Sequence, residues 1–405
     1  MVWKKWVATV IGLLLIGMAF GAAGVSAAST GSQKAVTVIL VSDNTADSGV
    51  AKLLANATGG VIVTTPWGIY EPNVTAEILS YAPDQVIIIG GPMAVVNQYV
   101  TDLQGYNITV YRWGGINRYE TNLIALEMAK GKGLLKKDNV TVFAPGNDTV
   151  AIQEAVKIAI QKGGIVVYVN KTVSINKLNK TITIRKAIVV NTPVSKGLAK
   201  GLMKQLFRHN SSAVDITVNV TGQVQFLEKL IQLRIERIEE IANMTNSTEL
   251  LSLAQNLSAG LDEVNKLLQA GNTTQAYKKL LWLQVRSQFV LKRTNFVLVK
   301  EMTHGKFGIM VRLMRLKAEL EILQKAGVNV APYNQMLTQA EEYFKKGNDG
   351  MALKLLTQLE KQLRELYKQN WAILREFMRK KHKGWMHGPR WGSNQTSNKT
   401  WSGKH

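Results

Sequence analysis

At 405 residues, 46% hydrophobic, the chain is long enough for two or three domains with genuine cores. It has no cysteine, so disulfides hold none of them. Its 50 Lys and Arg against 28 Asp and Glu give a net charge of +22, which argues against basic partners and favours acidic ones.

The chain opens on a pattern of export. Lys4 and Lys5 give a positive start, an uncharged and mostly apolar run follows from Trp6 to Phe20, and Val25-Ser26-Ala27-Ala28 fits a small-x-small cleavage site. Residues 1–28 are therefore read as a signal peptide. The alternative is an uncleaved anchor, since residues 6–28 carry no charge and are just long enough to span a bilayer. Export sets nucleic acid aside as the acidic partner. Anionic surface polysaccharide, anionic lipid headgroups or an acidic protein layer of the envelope take its place.

From Val36 to about Val220, short runs rich in Val and Ile alternate with helical segments. The predicted strands are 36–41, 60–65, 85–90, 108–113, 139–144, 164–169, 184–190 and 214–220. The predicted helices are 47–57, 73–81, 93–103, 118–132, 148–162 and 194–206. Runs such as Val86-Ile87-Ile88-Ile89 suit strands buried on both faces, and the alternation implies βαβ units in a parallel sheet. Residues 29–222 are thus an α/β module. It repeats itself, over about 36–130 and again, in degenerate form, over 138–207. A shift of 104 sets Val38-Ile39-Leu40 on Val142-Phe143-Ala144 and Gly59-Gly60-Val61-Ile62-Val63 on Gly163-Gly164-Ile165-Val166-Val167. A shift of 101 sets Ile87-Ile88-Ile89 on Ile188-Val189-Val190 and Pro92 on Pro193.

Residues 223–382 turn all-α. Phe226, Leu230 and Leu233 recur at helical spacing. Turns at Asn243–Thr248, Gly271-Asn272, Gly327–Val330 and Gly347–Gly350 divide the region into five or six helices, an antiparallel bundle or coiled hairpin. A shift of 76 sets Leu261 on Leu337, Gly271-Asn272 on Gly347-Asn348, Leu280 on Leu356 and Leu283 on Leu359. Residues 383–405 form a basic tail with Trp385, Trp391 and Trp401 among Gly, Ser, Asn and Thr, expected to be disordered. With Arg379-Lys380-Lys381-His382-Lys383 before it, the tail suits an anionic surface.

The chain has 27 Asn and 46 Ser plus Thr. Random order would give about three Asn-x-Ser/Thr triplets. There are fifteen, at Asn56, Asn73, Asn107, Asn139, Asn147, Asn170, Asn179, Asn210, Asn219, Asn243, Asn246, Asn256, Asn272, Asn394 and Asn398. The excess reads as a glycosylated surface; an Asn- and Thr-rich strand and turn composition is the bland alternative. Dense sequons without a lipobox cysteine point to an archaeal envelope. Asn295, Asn329, Asn334, Asn348 and Asn370 all lack the triplet, so the last three helices are expected to face a partner, the module or another copy of the chain.

Ile87-Ile88-Ile89-Gly90-Gly91-Pro92, Ala94-Val95 opening a helix, and Gly114-Gly115-Ile116-Asn117-Arg118-Tyr119-Glu120-Thr121 resemble the cell-wall-binding repeat family, type 2. Asn44-Thr45-Ala46-Asp47 and Val61-Ile62-Val63-Thr64-Thr65-Pro66 resemble its helix start and its Thr-Pro strand end. The resemblance covers 36 to about 126 well and extends to about 206. It implies a small parallel α/β module that anchors surface proteins non-covalently to anionic wall polymers, often in threes. This chain differs in three respects: Asn117 stands where Asp is usual, Val189-Val190-Asn191-Thr192-Pro193 replaces the second Gly-Gly turn, and two copies are present rather than three. Homo-oligomerisation through the module or the helical domain would complete a set.

The candidate ligand-binding residues are Asn44, Asp47, Gly90, Gly91, Asn117, Arg118 and Tyr119, grouped at predicted strand ends, where open α/β sheets bind ligands. Their structural alternative is equally plain. Gly90-Gly91-Pro92 makes a tight turn, and Arg118 can pair with Glu120 or Asp47 rather than with a ligand. No nucleotide-binding motif is present, and no spacing of Asp43, Asp47, Asp84 and Glu120 selects an acid–base pair. His209 and His304 are isolated, and His382, His387 and His405 lack metal-ligand spacing. No catalytic residue, cofactor or metal is expected. The chain reads as a non-enzymatic cell-surface protein with a helical spacer or assembly domain. An extracytoplasmic ligand-binding receptor and a glycan hydrolase are the rival readings.

Overall fold

The computed structural model describes residues 36–134, 140–172, 175, 178, 182, 184–209, 211–303 and 306–382. The predicted export signal, the tail and the sequons at Asn139, Asn179, Asn210, Asn394 and Asn398 lie outside these residues.

The first repeat runs β1 (Thr37–Ser42), α1 (Thr45–Thr58), β2 (Val61–Thr65), α2 (Pro72–Ser80), β3 (Gln85–Ile89), α3 (Gln98–Gly105), β4 (Thr109–Trp113) and α4 (Arg118–Gly131). The second runs β5 (Thr141–Pro145), α5 (Thr149–Lys162), β6 (Ile165–Val169), β7 (Lys186–Asn191), α6 (Lys196–Arg208) and β8 (Ser212–Thr217). Each repeat makes one four-stranded parallel sheet. The orders are β2-β1-β3-β4 and β6-β5-β7-β8, so the duplication read from the sequence is a duplication of topology. Register repeats as well: Val38 pairs with Val61 and Val86, and Val142 with Val166 and Ile188.

The Gly-Gly pairs that marked the repeat end helices. Gly59 and Gly163 cap α1 and α5 in the left-handed conformation, with φ of 72° and 62°, a backbone region that glycine enters without steric cost. The predicted helix 93–103 begins later, at Gln98, because Met93–Asn97 form a turn.

The two sheets share a core. Ile39, Val41, Ile87 and Ile89 of the first, and Val142, Ala144, Val166 and Val190 of the second, enclose α1 and α5 between them. The second sheet's other face, with Phe143, Val167 and Val189, packs on Ala199, Leu202 and Leu206 of α6.

The helical region is two three-helix bundles in sequence. The first is α7 (Thr221–Met244), α8 (Thr248–Gln269) and α9 (Thr273–Thr303); the second is α10 (Lys306–Lys325), α11 (Ala331–Lys345) and α12 (Asp349–His382). The 76-residue shift superposes their hairpin turns, Gly271 and Gly347, both at positive φ. Neither bundle stands apart from the sheets. Leu313, Leu316, Leu320 and Leu323 of α10, with Leu356, Leu359 and Leu363 of α12, share one core with Val38, Leu40, Val86 and Ile88 of the first sheet's outer face. Of the partners foreseen for the triplet-free helices, the structure supplies the module itself.

A buried polar joint fixes this contact. Arg315 of α10 donates to Asp102 at 2.8 Å and pairs with Glu360 of α12. Tyr70 donates to the other Asp102 oxygen at 2.5 Å, and Tyr106 donates to Glu319 at 2.5 Å. Glu319 is fully buried, and its second oxygen has no hydrogen-bond partner. Burial pushes its carboxyl up to about 7 from 4.5, overriding the nearby Arg315. A carboxyl whose folded pKa is raised favours the folded state below its unfolded value and loses that contribution as pH climbs through about 7. The protein is therefore expected to be less stable at pH 8 than at pH 5. Glu319→Gln should remove on the order of 1–3 kcal/mol of that difference, read from denaturation midpoints at both pH values. An unchanged pH dependence would contradict the assignment.

Candidate functional site

All seven candidate residues come together at the carboxyl ends of β1, β3 and β4. What they do there is mostly hold the chain to itself. Asn44 is the N-cap of α1, accepting from Ala46 N at 2.8 Å, and is buried. Asn117 caps α4, accepting from Tyr119 N and Glu120 N, both at 3.0 Å. Asn serves this role as well as Asp does, so the departure at this position leaves the helix start intact.

The two glycine pairs are a backbone contact. A Cβ on Gly114 would lie 2.2 Å from the Gly90 carbonyl carbon, and one on Gly91 would lie 2.7 Å from Gly115 O. Gly90 also sits at φ +116°, beside the Asp47 carboxylate. Only glycine lets β3 and β4 end this close together.

Asp47 is buried in the first turn of α1, within 3.5 Å of the Ser42 hydroxyl. Burial pushes its carboxyl up to about 7, opposed by the charge of Arg118. Arg118 donates to Gly146 O of the second repeat at 2.8 Å. The Tyr119 ring lies against Gly146, where a Cβ would come within 2.4 Å of it. Of the two predicted partners, Asp47 is the one Arg118 influences; Glu120 instead accepts from Ile116 N at 2.8 Å. Asn122, one turn on, brackets the edge of β6. Its Nδ2 donates to Val166 O at 3.0 Å and its Oδ1 accepts from Tyr168 N at 2.9 Å. Tyr168 in turn donates to Ala46 O at 2.8 Å. The start of α4 is thus a clamp between repeats.

The helix after β8 answers it in reverse. From α7, Arg234 reaches back to Asp43 of the first repeat at 3.1 Å, and Arg237 pairs with Glu71. Asp43 also accepts from Trp67 N at 3.1 Å. From α9, Tyr277 donates to Asp148 at 2.7 Å and accepts from Val150 N at 3.2 Å, while Thr149 donates to Gln284 at 2.8 Å. Ile69 and Val150 join the apolar core of this bundle. The first bundle therefore sits on carboxyl-side loops of both sheets.

Asp148 escaped the sequence reading. It stands where the 104-residue shift places Asn44, and that equivalence was the available signal. It is fully buried and accepts four bonds: Ala151 N at 3.2 Å and Tyr277 at 2.7 Å on one oxygen, Thr192 and Ser195 at 2.6 Å each on the other. Thr192 belongs to the Asn191-Thr192-Pro193 turn that replaces Gly-Gly in the second copy. The substitution supplies a donor to Asp148 where the first copy needs empty space beside Asp47. Arg234, Tyr277 and Gln284 had no local signal at all, since each acts across more than a hundred residues or within a helix of ordinary pattern.

Over 312 residues the chain is 32% identical to the uncharacterized protein MJ0755 of Methanocaldococcus jannaschii, covering 75% of this chain and 86% of that protein. No protein-family model matches the chain. Among solved structures it is similar to Cwp6 from Clostridium difficile, at 22% identity and a TM-score of 0.36 over 45% of this chain and 28% of the other. It is similar to Cwp8 from the same organism at 20% identity and a TM-score of 0.39, over 46% of this chain and 31% of the other. The chain thus spans about a third or less of either structure.

If the glycine pairs serve close packing, Gly114→Ala should cost about 3 kcal/mol. Gly131→Ala, where an added Cβ meets nothing within 4 Å, should leave the melting temperature unchanged or raise it. Equal, small effects at both positions would dismiss the packing role.

Proposed function

The chain belongs to the family of MJ0755 from Methanocaldococcus jannaschii, and we propose that it is a non-enzymatic protein of the cell surface whose α/β module holds an anionic envelope polymer. One observation carries this reading: the strand ends, where an α/β sheet would take a small substrate, are occupied by side chains of the chain's own first bundle. Asp43 is engaged by Arg234, Glu71 by Arg237, and Asp148 by Tyr277. Each of these carboxylates is engaged by the chain's own donors, whereas glycoside hydrolysis needs a pair of acids left free for substrate. The same occupancy weighs against a receptor that closes on a solute at this place. Binding then falls to the outer surface, which carries the positive charge. The helical bundles, fused to the sheets by continuous cores, brace the module.

The likeness of the strand-end motifs to the cell-wall-binding repeat supports a polymer as ligand, and the basic surplus supports an anionic one. The envelope in this reading is archaeal and the chain glycosylated. Of the fifteen sequons, ten lie on described residues, and none of their asparagines is buried. Asn44, Asn122 and Asn191, which lack the triplet, are all buried.

Two measurements test this. The chain from residue 29 onward, mixed with purified envelope polymer, should sediment with it at low salt and be released as salt is raised. Absence of salt-sensitive retention would end the proposal. Protein isolated from its native envelope should carry glycan mass on tryptic peptides containing Asn56, Asn107, Asn219, Asn256 or Asn272; bare peptides at all five would remove the glycosylated surface from it.

A further inference from the structure

Between Glu154 and Asp215 the chain holds eleven Lys or Arg and no acidic residue. Four of the eleven fall on α6 at a constant interval of four: Lys196, Lys200, Lys204 and Arg208. All four are exposed. At about 1.5 Å per residue they make a row roughly 18 Å long with a cation about every 6 Å. The opposite face of α6, Ala199, Leu202 and Leu206, is buried against the second sheet, in a core to which no bundle residue contributes. The row is therefore fixed by packing and turned outward.

What sets it apart is a run of four cations at one interval with none of them paired among the described residues. In the bundles, several surface cations meet acids: Lys279 with Glu263, Arg293 with Glu249, Lys368 with Glu365, Lys380 with Glu376. Among the described residues, no carboxylate lies within ion-pair distance of any of the four on α6. Gly197 and Gly201 are exposed on the same helix, and an added Cβ at either meets nothing within 4 Å. No packing demand accounts for Gly201, although glycine inside a helix is less stable than alanine. Its absent side chain leaves the backbone between Lys200 and Lys204 open to close approach. At the end of the row, Phe207 is 59% exposed beside Arg208, and an aromatic face can stack on a sugar ring.

We propose that α6 is the docking ridge for a linear anionic polysaccharide, its carboxylate or phosphate groups meeting Lys196, Lys200, Lys204 and Arg208 in turn and one sugar resting on Phe207. This rests on the polymer-binding reading above and places it on one helix, away from the strand ends. A single row suits a chain-like polyanion better than a bilayer, which would call for a broad apolar face beneath the charges, and only Phe207 is available on this helix.

The test uses the chain from residue 29 onward with polygalacturonate as probe and, in parallel arms, vesicles containing phosphatidylglycerol and duplex DNA. Lys196, Lys200, Lys204 and Arg208 are changed together to Gln. A control of equal charge change alters the exposed Lys229, Lys278, Arg286 and Lys354 to Gln. The α6 variant is expected to bind polygalacturonate about tenfold or more weakly, with a shallower salt dependence, while the control loses less than about threefold. Gly201→Gln should melt no lower than the unmodified chain and bind several-fold more weakly. Equal losses in the two quadruple variants, unchanged binding by Gly201→Gln, or preference for vesicles or DNA over polygalacturonate would each overturn the α6 assignment alone. No binding of the unmodified chain to polygalacturonate or to envelope polymer would instead bring down the polymer-binding reading on which it rests.

Discussion

A single buried carboxylate joins the second sheet to the first helical bundle. Asp148 begins α5, takes two hydroxyl donors from the turn after β7, and accepts the phenol of Tyr277 from the first helical bundle. A charge so far from water is tolerable only when its oxygens are fully engaged. Four donors from three separate stretches of chain meet that requirement. Removing any one element would leave the carboxylate short of partners, so the second sheet and the first bundle hold their geometry together.

The same logic recurs, in weaker form, in the first repeat. Asp43 is tied to Arg234, and Asp102 and Glu319 are tied to Arg315, Tyr70 and Tyr106. Polar contacts of this kind contribute little net stability but restrict how apolar surfaces may be aligned. The apolar faces of two bundles and two sheets would pack in many relative positions. The buried acids accept one.

This arrangement also explains why two copies of one fold have drifted apart in sequence. The first copy keeps its glycine pairs because β3 and β4 end in backbone contact. The second replaces them with Asn191-Thr192-Pro193, whose Thr192 donates to Asp148. The helix after β4 clamps the second repeat, and the helix after β8 reaches back to the first. The two repeats exchange these helices. What the exchange leaves uncovered is the outer layer of the second repeat, and that is where the unpaired cations of α6 lie.

Much of the fold was legible in the residues, because its signals are local. Eight strands, the helices between them, the internal duplication and the six-helix end all follow from runs, periodicity and glycine punctuation, and each needs only neighbours in sequence. The start of α3 was misplaced, since the turn at Met93–Asn97 is built from residues that also suit a helix. The seven candidate residues do meet at the strand ends, but the contacts they make there were legible only in part. Asn44 and Asn117 proved to be helix caps, Gly90 and Gly91 a close backbone contact, and Arg118 with Tyr119 a clamp on Gly146. The partners Arg234, Tyr277, Gln284 and Arg315 were beyond reach, because a long-range contact leaves no period in the chain. The sequence by itself determined the elements, their repeat and the positive charge. Only the tertiary structure decided that the strand ends are filled from within, for that depends on side chains brought together across more than a hundred residues.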